Sequence, residues 1–418
     1  MTPEIRSKIA TARVVSVPAV VAMSLVFNTG LCRAEEPWRR HTIDNSSRGA
    51  DGVRMSDVNG DGHLDITTGW EEGGVIRVYQ NPGPKSSAEK WPAVTVGAVK
   101  SPEDAVFVDL DGDGATDVVS SCEGKTRTMY FHWAPKSADQ YLKSESWKTE
   151  AVPCTANQQL WMFALPLDVD GRNGIDLIVS SKGDNASIGW LESPTDPRDT
   201  SAWKYHRLRD AGWVMSLVAY DMDNDGDLDV VASDRKGAKR GVLWLENPGA
   251  KETVQGAAWK DHTIGGSDRE NMFLDVVSHR GKSAAVLSAV KPAGLVRFQR
   301  SEFPFPSAVA EGPGWVSHTV EIPGEKLGTG KSIRTTDVNL DGNEDLVYSC
   351  EQANGAKHGV VWLDMSRDGL RIRPISGPEG VKFDLIQLVD LDADGDLDVI
   401  TCEERANLGV FWYENPTR

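Results

Sequence analysis

A nine-residue acidic segment recurs along the chain and constrains its fold more than any other feature. The fullest copy, Asp390-Leu-Asp392-Ala-Asp394-Gly395-Asp396-Leu-Asp398, runs directly into apolar Val399 and Ile400. Four further copies keep the pattern of Asp or Asn at positions 1, 3 and 5, Gly at 6 and Asp at 9. They are Asp57-Asn59-Asp61-Asp65, Asp109-Asp111-Asp113-Asp117, Asp221-Asp223-Asp225-Asp229 and Asp337-Asn339-Asp341-Asp345. Oxygen donors at this spacing, with a Gly that permits a sharp turn, describe a loop for a hard cation. Position 7 (His63, Ala115, Asp227, Asn343, Asp396) would add its backbone carbonyl. A helical calcium loop needs Glu at position 12, where this chain has Thr68, Ser120, Ala232, Tyr348 and Thr401 in apolar surroundings. The loops therefore join two strands. About five Ca²⁺ ions are expected, and Mg²⁺ fits poorly because so many protein oxygens would displace its water. No intact loop leaves an open position beside a base, so the expected role is structural.

Two copies depart from the pattern. In the one beginning Asp168-Asp170, Arg172 takes position 5 and Gly174 falls one place late, so a guanidinium is expected in place of the ion. Between Asp275 and Ser283 most carboxylates have gone, which predicts a metal-free repeat.

A second signal alternates with the first. Trp-x-x-His-x-apolar segments occur at Trp38-His41-Ile43, Trp203-His206-Leu208, Trp259-His262-Ile264 and Trp315-His318-Val320, with weaker copies at Trp91, Trp147 and Arg371–Ile375. Trp91, Trp147, Trp203, Trp259 and Trp315 stand 56 residues apart. Alternation inside each copy suits a strand with one buried face. The repeated His residues read as packing and hydrogen-bonding elements. Third strands end in turn formers such as Asn81-Pro82, Asn247-Pro248 and Asn415-Pro416. Seven strands of the Trp type and seven loop units predict an all-β, seven-bladed β-propeller. The last repeat lacks its final strand, and Trp38–Ile43 at the front is the orphan that supplies it. Closing the ring with this N-terminal strand removes a free sheet edge.

These loops and Asn-Pro endings resemble those of the FG-GAP/VCBS repeat family, the integrin-α-like calcium-binding propellers, over residues 38 to 416. The resemblance implies calcium in the turn between the first two strands of a blade. Related propellers serve in cell adhesion, as fungal lectins and as extracellular sugar lyases or dehydratases, so the family implies no single ligand.

If the loops occupy one rim, strand one begins and strand two ends at the other. That second rim is chemically diverse, whereas the loop rim repeats itself, so the ligand site is expected there. The candidates are Arg54, Trp70, Glu71, Glu123, Trp161, Trp213, Arg334, Glu351, Asp384 and Glu403. The three Trp residues are candidates to stack on a sugar ring or, equally, to pack between blades. Glu71, Glu123, Glu351 and Glu403 offer carboxylates for acid–base work if a crowded pair shares a proton. Arg334 or Lys331 would neutralise a developing anion or a uronic acid. There is no Gly-x-Ser-x-Gly elbow, no His-Glu-x-x-His and no phosphate loop.

The N-terminus carries Arg6, Lys8 and Arg13, then a mostly apolar, uncharged stretch from Val14 to Phe27, and Cys32-Arg33-Ala34 as a cleavage site. This pattern predicts a signal peptide over 1–34, a propeller over 35–418, and a secreted or periplasmic product. Cleavage removes Arg6, Lys8, Arg13, Arg33 and Glu4, three net positive charges, and deepens the net charge from −17 to −20. Without a basic stripe, nucleic acid is excluded as a partner, and no later segment is long and apolar enough to insert in a membrane. Of the four later cysteines, Cys350 and Cys402 occupy equivalent places in successive repeats. Both a bridge between them and buried free thiols remain open.

The sequence thus predicts a calcium-stabilised binding module whose partner is a carbohydrate or cell-surface glycoconjugate. A polysaccharide lyase or sugar dehydratase using the carboxylates of that rim and a protein-adhesion module are the alternatives, so catalysis stays an open question at this level.

Overall fold

The computed structural model describes residues 36–279, 283–301, 309–365 and 370–418. The expected signal peptide lies outside the described residues. Glu36–Arg418 forms one unit of seven antiparallel sheets. Blade one comprises Ala50–Ser56, Asp65–Trp70, Val75–Tyr79 and Ala93–Gly97. Blade two begins at Pro102–Val108 and blade three at Leu160–Leu167; blades four, five and six begin at Val214–Tyr220, Glu270–His279 and Thr329–Thr336. From blade one to blade six these first strands lie against one another around an axis. Blade seven takes Gln387–Val389, Asp398–Glu403 and Gly409–Glu414, and its fourth strand is Arg39–Asp44. The two ends of the propeller thus share one sheet, with Arg39 opposite Glu414 and His41 opposite Trp412. Among the described residues no helix is long and apolar enough to cross a membrane.

The repeated Trp and His residues hold the outer strands together. His41 stacks on Trp412 at 4.3 Å, His206 on Trp190 at 4.6 Å and His262 on Trp244 at 4.1 Å. The same imidazoles meet Glu414, Glu192 and Glu246 at 2.7, 2.8 and 2.5 Å. Trp91, Trp147 and Trp203 are buried and donate their indole N–H groups to carbonyls of the preceding linker. All four described cysteines are free thiols, and Cys350 and Cys402 are fully buried, so no bridge joins them.

The strand-to-strand loops fall where the sequence places them. In blade five Glu270–His279 pairs with Ser283–Lys291. At the opposite rim the first strand of six blades carries a register shift near its start, between Asp51 and Arg54, Pro102 and Asp104, Trp161 and Phe163, Val214 and Ser216, Asn271 and Leu274, and Gly330 and Ser332. A bulge adds a residue and re-aims the side chains beside it. In blade one Gly52 makes this possible, at φ 70° and with Asp104 Oδ1 only 2.7 Å from where a Cβ would sit.

Candidate functional site

Two carboxylate-rich regions lie at opposite rims. In the loops, side chains at positions 1, 3 and 5 are set by backbone N–H groups a few residues on. Asp57 accepts from Gly60, Asp61 and Gly62, Asn59 from Asp61, and Asp61 from His63. The other intact loops repeat this ladder, as in Asp113 accepting from Ala115 and Asp394 from Asp396. Each turn relies on a Gly in the left-handed region, with φ of 86°, 86°, 101°, 84° and 96° at Gly62, Gly114, Gly226, Gly342 and Gly395.

Position 9 does more than the sequence reading assigned to it. Both oxygens of Asp65 are taken by backbone N–H groups, those of Val58 and Asn81. Asp117 bonds Leu110 and Ala134, Asp229 bonds Met222 and Asn247, Asp345 bonds Val338 and Met365, and Asp398 bonds Leu391 and Asn415. Asp176, in the broken loop, does the same with Val169 and Ser193. These aspartates pin the loop to the end of strand three through backbone hydrogen bonds. Burial pushes Asp117, Asp176, Asp229 and Asp398 up to about 7 and Asp65 to about 6, against the pull of those N–H groups. The Asn-Pro endings belong to the same device, for Asn81, Asn247 and Asn415 donate through Nδ2 to Leu64, Leu228 and Leu397.

The donor set fits a hard cation. Asp221, Asp223 and Asp225 bring three carboxylate oxygens within 4.8 Å of one another, as do Asp109, Asp111 and Asp117. Buried oxygens of Asp227, Asp390 and Asp396 have no hydrogen-bond partner. Two loops are already partly neutralised by the protein. Arg172 folds back on Asp170 at 2.9 and 3.1 Å, although Asp168, Asp170 and Asp176 still bring carboxylate oxygens within 4.8 Å of one another. In the intact loop at 109–117, Arg198 ion-pairs with Asp111 and, at 3.3 Å, with Asp113.

At the opposite rim all seven blades send charged groups to the axial mouth. Blade one supplies Asp51, Arg54 and Glu71, blade two Glu103, Asp104 and Glu123, blade three Lys182 and blade four Arg235. Blade five adds Glu270 and Lys291, blade six Lys331 and Glu351, and blade seven Lys382, Asp384 and Glu404. Lys182 ion-pairs with Glu123 and, at 3.4 Å, with Glu103, while Lys291 pairs with Glu351 and Lys382 with Glu404. Lys331 lies 3.6 Å from Asp384 and 4.0 Å from Glu351. Arg54 grips Asp104 through both oxygens, at 3.0 and 3.2 Å, and Arg235 meets Glu270 at 2.6 Å.

Carboxylates outnumber lysines between blades seven, one and two. Asp51, Glu71 and Glu404 place oxygens within 4.8 Å of one another, and so do Glu71, Glu103 and Glu123. Burial first, then the charge of Glu103 and the contact with Glu404, push Glu71 up to about 8. Burial raises Glu103 to about 7 although Lys182 opposes it. Asp51 is raised by burial and by Asp384. Burial also acts on Asp384, but Lys331 and its other partners outweigh it and leave it below the usual carboxylate range. A cavity of about 610 Å³ between the Glu71–Gly74 turn and residues 98–101 opens beside Glu71.

Of the residues proposed for this rim, Arg54, Glu71, Glu123, Glu351 and Asp384 face the mouth. Trp70 and Trp161 are fully buried and donate their indole N–H groups to Tyr79 Oη and the Thr155 carbonyl, so they pack between blades and offer no face to a sugar. Trp213 is half-buried and ringed by Lys182, Arg235 and Lys236 at 4.6–4.8 Å from its centroid. Arg334 donates to the Leu274 and Ile333 carbonyls and lies 3.9 Å from Asp275. Glu403 is fully buried and accepts from the backbone N–H groups of Val381, Lys382, Arg405, Ala406 and Leu408, which makes it a staple for two turns. Its neighbour Glu404 is the residue in the mouth. Asp51, Lys291 and Glu404 were missed by sequence reasoning, because bulges and turns displace them from strand alternation.

With this geometry in view, comparison with known proteins identifies one repeat. Residues 57–120 match the FG-GAP-like repeat. The match spans the first two acidic loops. No curated protein matches the sequence. Among solved structures, BBS1N, from the crystal structure of BBS1N in complex with ARL6DN soaked with lead, is similar with a TM-score of 0.51 and 9% identity. The alignment covers 91% of this chain and 97% of that one. At that identity it establishes the shared fold alone. An FG-GAP-like propeller is compatible with a binding module.

Proposed function

We propose that the chain is an exported, calcium-stabilised propeller that binds a carbohydrate or glycoconjugate at the axial mouth opposite its acidic loops. The observation that carries this reading is the convergence of charged groups from all seven blades on one mouth, several of them buried. Burying charge is costly unless it is paired, and evenly matched pairs would suffice for stability alone. This mouth instead presses the carboxyl group of Asp51 against Asp384 and that of Glu71 against Glu404. Carboxylate and ammonium groups side by side suit the mixed donors and acceptors of vicinal hydroxyls. Such a ligand is held by hydrogen bonds, since two of the three candidate Trp residues are buried. In the loops, Ca²⁺ would bind through positions 1, 3 and 5 and fix each turn.

The test is a glycan array probed with the calcium-loaded protein, followed by calorimetry on any hit. Specific binding that Glu123→Gln weakens at least about tenfold (roughly 1.4 kcal/mol) supports the reading. Binding to no glycan, or binding indifferent to Glu123→Gln, overturns it. One observation favours a second reading, a sugar lyase or dehydratase: Glu71, held at about 8 beside Glu103 at about 7, is poised to carry a proton at neutral pH. Incubating the same hits and looking for an unsaturated product separates the enzyme from the lectin.

A further inference from the structure

We propose that the axial mouth binds one hard divalent cation between the carboxylates of Asp51, Glu71 and Glu404, at a site separate from the acidic loops of the opposite rim.

Geometry supplies the first argument. The three residues come from the first strand of blade one, the turn after its second strand, and the turn after the second strand of blade seven. Their oxygens lie within 4.8 Å of one another, the separation expected across a centre with metal–oxygen bonds of about 2.3–2.6 Å.

Independent support comes from carboxyl groups in contact with one another. Asp51 is only 5% exposed, and its hydrogen-bond contact is the carboxyl group of Asp384, while Lys382, Lys331 and Lys182 attract it without an ion pair among the described residues. Its carboxyl group meets that of Asp384, and the Glu71 carboxyl meets that of Glu404. Asp384 is 2% exposed, and its buried Oδ1 has no hydrogen-bond partner, Lys331 lying 3.6 Å away. Carboxyl groups in such contact need a proton or a cation between them. Local charge favours the cation. Lys331 is committed to Asp384 and Glu351, Lys182 to Glu103 and Glu123, and Lys291 to Glu351. Among the described residues Lys382 ion-pairs with Glu404, and Lys331 and Lys182 act on Asp51 from further away, so the triad keeps an excess of negative charge for a divalent ion to balance. All-carboxylate donors select Ca²⁺, Mn²⁺ or a similar hard ion. Three protein carboxylates would leave further positions for water or the oxygens of a ligand.

The deciding experiment uses the full chain equilibrated with manganese and crystallised. An anomalous difference peak between Asp51, Glu71 and Glu404, in addition to any at the loops, is expected. Peaks confined to the loops would overturn the site and leave shared protons as the link between these carboxyls. In solution, the double variant Asp51→Asn/Glu71→Gln should bind one metal equivalent fewer than wild type by elemental analysis. Asp225→Asn serves as a control for loss at a loop. Unchanged metal content in a folded double variant overturns the site. If that variant does not fold, the wild-type anomalous map decides alone.

Discussion

The loop rim and the axial mouth are both crowded with carboxylates, yet they are built in opposite ways. Each loop gathers its acids within nine residues of sequence, orders them with its own backbone N–H groups, and keeps them mostly at the surface. The mouth collects Asp51, Glu71 and Glu404 from the two ends of the propeller, buries Asp51 and Glu404, and sets the Asp51 carboxyl group against that of Asp384. Local repetition makes rigidity, and it makes every loop alike. Convergence from different blades makes a place where each neighbour differs, which selective binding requires.

Chelation should produce the largest separation between the two regions. Each loop occupied at 100 times its Kd stabilises the fold by about 2.7 kcal/mol, so excess chelator should lower Tm by about 10 °C or more. Elemental analysis must show the ions gone; an unchanged melt would end the structural account of the loops. A second test separates pinning from ion binding. Asp176→Ala orphans the Val169 and Ser193 N–H groups and should cost about 2–4 kcal/mol in urea unfolding, equally in calcium and in chelator. Asp225→Ala should cost stability in calcium alone. Equal calcium dependence in the two would erase the distinction between position 9 and position 5.

Titration must be corrected for a group in neither region. His132 is fully buried between Ser120 and Thr149, and burial lowers its pKa to about 3. The folded state then binds fewer protons than the unfolded state between about pH 6.5 and 3, so His132 costs no stability above that window and increasingly more as pH falls through it. The slope is up to about 1.4 kcal/mol per pH unit. Replacing His132 with Gln should flatten the acid limb of a Tm–pH curve; an unaltered limb would assign it wholly to carboxylates. The smallest expected effect is at Arg198. Removing its competing charge from Asp111 and Asp113 with Arg198→Met should tighten one calcium site about three- to fivefold, roughly 1 kcal/mol, in a calcium titration.

The blade count, loop positions and front-strand closure were legible because each has a short-range signature: the acidic nonapeptide, the Trp-x-x-His alternation and the Asn-Pro ending. The mouth was legible only as a rim. Glu403 and Glu404 show why. Adjacent strand-end residues point in opposite senses, and the sequence offers no reason to prefer one of them. The structure gives Glu403 five backbone N–H groups and turns Glu404 inward. Bulges compound the difficulty, since the shifts around Glu103 and Lys331 defeat any count by twos. Trp70 likewise lies beside Glu71, one turned to the core and the other to the mouth.

Closure of the ring by Arg39–Asp44 has a consequence for biogenesis. The first strand of the propeller pairs with its last, His41 reaching Glu414 across 373 residues. The propeller cannot close until Gly409–Glu414 has been made, so Arg39–Asp44 waits for its sheet partner while the intervening blades are synthesised.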